Sequence, residues 1–188
     1  TEVNLSDCHL GPTSAAELAK VLSDANAAIA HLALGSNRIG DEAMISLLDV
    51  LKDVPLISFD ISNTNCGVST STKLAELLSE ETKFRAAVAR LTLSGNPITN
   101  YGKDLTGLKA LCEALLGLKN AISLDLSNCY FMVAEVNAVA QAIQAGAAVA
   151  RLILDGNPLT GGRYSDDFDK DITGVSALFD TLKTCLLY

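Results

Sequence analysis

The sequence predicts an α/β fold made of repeated strand–helix units, and three observations predict it. First, one apolar phrase recurs six times. It reads Val88, Leu91, Leu93, Asn96, Ile98 and again Val149, Leu152, Leu154, Asn157, Leu159, with looser copies at Ile29, Leu32, Leu34, Asn37, Ile39, at Leu56, Phe59, Ile61, Thr64, Cys66 and at Ala121, Leu124, Leu126, Cys129, Phe131; a shortened copy, Val3, Leu5, Cys8, Leu10, opens the chain. Second, the polar or cysteine position of the phrase falls at 8, 37, 64, 96, 129 and 157, a spacing of 27 to 33 residues that leaves room for a helix in every gap. Third, the gaps carry leucines and valines three and four residues apart, the period of a helix buried on one face.

Within each phrase the x-Leu-x-Leu stretch reads as a short strand whose leucines share a face, because side chains alternate along a strand. The Asn, Thr or Cys that follows turns the chain out of the strand, and its side chain can bond backbone groups left unpaired by the turn. Stacked units would form a ladder of these residues.

The helices are then read in order. Ser14-Ala-Ala-Glu17 has capping-box spacing and leads into Leu18, Val21 and Leu22. Asp41 opens a second helix with Leu47, Leu48 and Leu51 inward; a third carries Leu74, Leu77 and Leu78, a fourth Leu108, Leu111 and Leu115. The fifth places Val136, Val139, Ala140 and Ile143 inward, and the sixth Val175, Leu178, Phe179 and Leu182.

The phrase is L-x-x-L-x-L-x-x-N/C-x-L, which resembles the leucine-rich repeat signature. With a full helix per unit, all 188 residues resemble the ribonuclease-inhibitor-like class, and 1–188 read as a single leucine-rich repeat domain of about six repeats. The resemblance implies a right-handed α/β solenoid, a horseshoe segment with parallel strands on the concave face and helices on the convex face. One repeat cannot bury its apolar side alone, and stacking closes the core.

Composition narrows the function classes. A net charge of −8 argues against a nucleic-acid partner. No apolar run approaches the ~20 residues needed to cross a bilayer, so no membrane insertion is expected. Five cysteines without a C-x-x-C read as structural thiols of a reduced, cytoplasmic protein. Neither His9 nor His31 has an evident nucleophilic partner, and paired carboxylates, a phosphate-cradling loop and a ligand cluster are all lacking; no enzyme activity and no cofactor are expected. Thr1 at the start, a first unit without its leading leucine and a last helix running to Tyr188 predict a fragment of a longer chain, or an end that self-associates.

Two loops stand out. Repeats four and six share Ala-Arg-Leu-x-Leu-x-Gly-Asn-Pro, a longer loop after the strand, and Lys-Asp-(Leu/Ile)-Thr-Gly at 103–107 and 170–174. In the second loop, the acidic stretch Asp166–Asp171 has several oxygens of the kind Ca²⁺ prefers, but Ile172 and Leu178 stand where an EF-hand needs Gly and Glu. It reads as a solvated acidic loop. In the same loop Thr160-Gly-Gly-Arg163 is similar to the Thr-Gly-Arg loop of Ran GTPase-activating proteins, with one extra glycine; that resemblance implies an arginine that stabilises charge on a transferred phosphoryl group. Other phrases, Leu32-Ala-Leu34-Gly-Ser-Asn37 and Lys103-Asp-Leu-Thr106, resemble CARMIL-type actin regulators.

The reading that covers most of the chain is a non-enzymatic protein–protein interaction scaffold with a protein partner. On the expected concave face Arg90 and Arg151 are the residues of hot-spot type, with Asp125 on the strand between them. The aromatic residues Tyr101, Tyr130, Tyr164 and Phe168 fall in the loops after strands four, five and six. We expect a binding edge made of these four, with Arg90 and Arg151 nearby; the competing expectations are rings folded back over the repeat cores and arginines paired with Asp125.

Overall fold

The computed structural model describes residues 1–24, 29–162 and 168–185. Among these residues six short strands form one parallel sheet in sequence order: β1 (Glu2–Asn4), β2 (His31–Ala33), β3 (Ser58–Asp60), β4 (Arg90–Thr92), β5 (Ile122–Asp125) and β6 (Val149–Ile153). The phrase sets the register, with Val3, Leu32, Phe59, Leu91, Leu124 and Leu152 aligned across the sheet.

Among the described residues seven helices connect and flank the strands: α1 (Pro12–Asp24), α2 (Asp41–Leu51), α3 (Val68–Ser79), α4 (Lys83–Ala87), α5 (Thr106–Leu116), α6 (Val133–Gln144) and α7 (Thr173–Cys185). The strand leucines and the inward residues of the helices, Leu47, Leu48, Leu74, Leu78, Leu108 and Leu111 among them, belong to one continuous buried core. Each such leucine contributes about 1.5–3 kcal/mol by leaving water. The other face of the sheet is open: His31, Arg90 and Arg151 are exposed there.

The turn ladder is present. Asn96 Nδ2 donates to the carbonyls of Ile61 (2.7 Å) and Leu93 (3.0 Å), while its Oδ1 accepts from the backbone N–H of Thr64 and of Cys66, both at 3.0 Å. Asn37 does the same for Leu5, Leu34, Cys8 and Leu10. Each asparagine thus bonds its own repeat and the one before it. Cys129 holds its place with a thiol that donates to Leu93 O and Ser127 O, each at 3.4 Å. Burial pushes the Cys129 thiol up to about 12 and that of Cys112 up to about 11, so both stay protonated at neutral pH.

The shared Lys-Asp-x-Thr-Gly phrase has a structural role. Asp104 Oδ1 accepts from Thr106 N–H (2.9 Å) and Asp171 Oδ1 from Thr173 N–H (2.9 Å), which satisfies a free donor at the start of α5 and of α7. The side chains of Thr106 and Thr173, and after them these N–H bonds, hold both carboxyl groups below the ordinary aspartate value. The glycines let helices meet closely: a Cβ on Gly107 would lie 2.6 Å from Val68 O of α3, and one on Gly174 2.8 Å from Val133 O of α6.

Three expectations are corrected. α1 begins at Pro12, so Ser14 lies inside its first turn and not at the cap; proline, with its fixed φ and missing N–H, suits the first helical position and wins over the capping-box spacing. A capping-box glutamate occurs instead at Glu135, which accepts from Met132 N–H (3.0 Å) ahead of α6. In α7 the expected core residues Phe179 and Leu182 are 56% and 43% exposed, because no described element follows to cover that side. The short helix α4 was not expected: Thr82 Oγ1 accepts from Arg85 N–H (3.0 Å), and Phe84 is driven into the core, edge-on to Phe59 with ring centroids 6.1 Å apart.

Candidate functional site

Turns after parallel strands in register fall side by side along one edge of the sheet. There the side chains of Tyr101 and Tyr130 meet, with ring centroids 4.8 Å apart and planes at 64°, within the range of edge-to-face aromatic pairs. The rings do not fold back over the cores, since the two residues are 44% and 50% exposed. Both have left-handed backbone, with φ of 58° for Tyr101 and 62° for Tyr130. Bulky residues seldom adopt that conformation, and in a protein such strain persists where the surroundings hold it.

The surroundings are visible. Tyr101 sits in a loop tied by Thr99 Oγ1, which accepts from Gly102 N–H (3.2 Å), and by Thr99 O, which accepts from Asp104 N–H (3.0 Å). The loop rests on the start of α6: a Cβ on Gly102 would come within 3.2 Å of both Glu135 Oε1 and Met132 Cε. That Oε1 is buried and has no hydrogen-bond partner among the described residues. Tyr130 follows Cys129, whose turn is anchored from the next repeat by Asn157 Oδ1 accepting from Phe131 N–H (3.0 Å).

Beside the tyrosine pair lies an open recess of about 400 Å³, lined by Arg38, Asn63, Asn65, Gly95, Pro97, Tyr101 and Tyr130. Its wall combines an aromatic pair and a proline with amide and guanidinium donors. The wall offers ring surface for contact and hydrogen-bond donors from Arg38 and the two asparagines. Arg38, Asn63 and Asn65 were not singled out in the sequence. For the two asparagines the signal was the turn-forming Asn-Thr-Asn at 63–65, one repeat upstream of Tyr101 and two upstream of Tyr130.

The other expected site residues are dispersed. Arg90 and Arg151 are aligned through Ser123 on the open face, near the N-terminal ends of the strands and away from the recess at their C-terminal ends. Neither is paired with Asp125, whose Oδ1 accepts from the Ser127 N–H (2.9 Å) and hydroxyl (2.6 Å). The arginines therefore form a separate exposed patch. Phe168 is 79% exposed. Tyr164, Arg163, Asp166 and Asp167 lie outside the described residues; of the acidic loop, Asp171 serves as the cap of α7. Among the described residues no group of three His, Cys, Asp or Glu side chains is placed to hold a metal ion, and no helix is long and apolar enough to cross a membrane.

No family profile matches the chain. The chain is similar to NACHT, LRR and PYD domains-containing protein 5 of Bos taurus, with 30% identity over 167 residues, covering 84% of this chain and 14% of that protein. The chain thus spans 14% of the relative's length. The likeness supports a relationship to leucine-rich repeat proteins, in keeping with the mixed α/β architecture and its single parallel sheet.

Proposed function

We propose that this chain is a non-enzymatic, protein-binding segment of a leucine-rich repeat array of the ribonuclease-inhibitor-like class, coiled as a right-handed solenoid. A protein partner docks on the loop edge at Tyr101 and Tyr130 and reaches into the recess beside them. The observation that carries this reading is the tyrosine pair: two half-exposed rings in mutual contact, both on left-handed backbone, at the rim of a recess with polar donors. Tyrosine is favoured where binding energy concentrates, because it offers a large rigid surface with a polar tip. The name of the bovine relative, which prints LRR beside two other domains, supports a binding segment within a longer protein.

The test is affinity capture from lysate of the source cells, followed by titration of the captured partner. Tyr101→Ala/Tyr130→Ala weakens binding by at least about tenfold, the cost of losing one aromatic hot spot, with the circular dichroism spectrum unchanged. Arg90→Ala/Arg151→Ala leaves affinity near wild type. A partner lost with the arginine pair and kept with the tyrosine pair would move the site to the open face and overturn the edge assignment.

A further inference from the structure

The recess beside the tyrosine pair lies within the stack, between the second and fifth repeats, and its two ends differ in chemistry. At one end stand Arg38, Asn63 and Asn65, from the turns of the second and third repeats; at the other stand Pro97, Tyr101 and Tyr130, from the fourth and fifth. The three polar residues are exposed. Among the described residues Arg38 makes no ion pair, and the side chains of Asn63 and Asn65 make no hydrogen bond. No carboxylate is in the lining, so the one formal charge at the recess is positive.

The polar end is held in place before any ligand arrives. Asn63 and Asn65 flank Thr64, and the buried Asn96 Oδ1 accepts from Thr64 N–H and Cys66 N–H, both at 3.0 Å. The Asn63 carboxamide lies against Gly95, where a Cβ would collide with its Oδ1. Donors fixed in this way lose little further freedom on binding.

Chemistry and spacing together select the occupant. A guanidinium with amide donors beside it suits a carboxylate, which accepts two parallel bonds from arginine. Tyrosine rings beside a proline suit an apolar ring, and a proline in an extended segment docks on such a surface with little entropy to lose. Neighbouring strands are about 4.8 Å apart, so two to three strand spacings, about 10–14 Å, separate the turn of Arg38 from the loops of Tyr101 and Tyr130. An extended chain covers that distance in about three or four residues.

We infer that the segment entering the recess is an extended acidic peptide with a proline about three or four residues from its carboxylate. Arg38, Asn63 and Asn65 bind the carboxylate, and the tyrosine pair and Pro97 bind the proline. The assignment rests on the loop edge as the docking site and adds the chemistry of the partner.

A displayed library of random linear peptides, selected on the immobilised chain, tests this. The wild type enriches Asp or Glu at that spacing from proline. Arg38→Ala lowers affinity for the best of these peptides at least about tenfold, the cost of a hydrogen bond to a charged group. Arg38→Glu enriches Lys or Arg in place of the acid and keeps the proline, and this reversal shows that the variant is folded. Tyr101→Ala/Tyr130→Ala enriches none of them. Enriched peptides without an acidic preference overturn the inference, as does the same preference on Arg38→Glu or a library from which nothing is enriched. In those cases a lysate partner captured by the wild type and lost with the tyrosine variant leaves the docking edge standing. Acidic peptides that bind the tyrosine variant as tightly as the wild type overturn the edge and the inference together.

Discussion

Two kinds of turn alternate along the sheet. In the second, fourth and sixth repeats the turn residue is asparagine, preceded by one left-handed residue: Ser36, Gly95 or Gly156. In the first, third and fifth it is Cys8, Thr64 or Cys129, with left-handed residues on both sides: Asp7 and His9, Asn63 and Asn65, Asn128 and Tyr130. The asparagine carboxamide has two donors and an acceptor and reaches two repeats at once. The hydroxyl or thiol reaches little: Thr64 Oγ1 donates to Ile61 O at 2.7 Å, and the N–H of Thr64 is left for Asn96 to satisfy. The second kind of turn depends on its neighbour for its bonds, and its more contorted backbone is what lifts Tyr130 onto the surface beside Tyr101. What repeats, energetically, is the pair.

That dependence can be broken directly. Asn96→Ala leaves Thr64 N–H and Cys66 N–H without acceptors in the interior and takes one donor from each of the carbonyls of Ile61 and Leu93, which keep only Thr64 Oγ1 and the Cys129 thiol. With each orphaned group costing on the order of 1–3 kcal/mol, partly relieved by relaxation, we expect a loss of about 4 kcal/mol. Cys129→Ala removes one weak donor and a small volume and costs about 1 kcal/mol. Urea unfolding with an unchanged slope measures both; equal losses would show that the two turns are equivalent and end the comparison.

A smaller effect is expected at the contact between the two kinds of turn. Gly95 has φ of 70°, and a Cβ there would collide with Asn63 Oδ1 of the preceding turn. Gly95→Ala costs about 2 kcal/mol through the backbone and the collision. Adding Asn63→Gly returns part of it; a double variant no more stable than the single one shows that the backbone alone is responsible.

The smallest effect is in acid. Asp104 and Asp171 have folded-state pKa values below that of an unfolded aspartate, chiefly through the bonds from Thr106 and Thr173. Their contribution is therefore complete above pH about 4 and is lost as pH falls through the lowered folded values. Both sit in asparagine-turn repeats, so amide exchange in the first turns of α5 and α7 should rise in that window ahead of α3 and α6. Uniform loosening of all four helices contradicts this.

The legible parts of the molecule were those carried by local pattern. Leu32, Leu91 and Leu124 announce strands, and Asn37, Asn96 and Asn157 announce turns, because the spacing that identifies them is also the spacing that positions them. Tyr101 and Tyr130 were brought together by the same logic, since loops after adjacent strands share an edge. Arg38 and Asn65 escaped notice because they come from other repeats and look like ordinary turn residues; only the stacking puts them at the recess. Helical period reports a face and not whether a neighbour covers it, which is why Phe179 and Leu182 were read as core. The five residues of α4 are too few to show a period, and the burial of Phe84 is decided by Phe59, a residue 25 positions earlier.

Asn37, Asn96 and Asn157 stand 59 and 61 residues apart. Because each carboxamide is bonded to the preceding turn of the other kind, an array of this design changes length without penalty only in blocks of about sixty residues. Excision of a single repeat would set two asparagine turns, or two cysteine or threonine turns, against each other, with one junction crowded by carboxamides and the other stripped of them. Adding or removing an even number of repeats keeps the alternation, and an odd number breaks it at one junction.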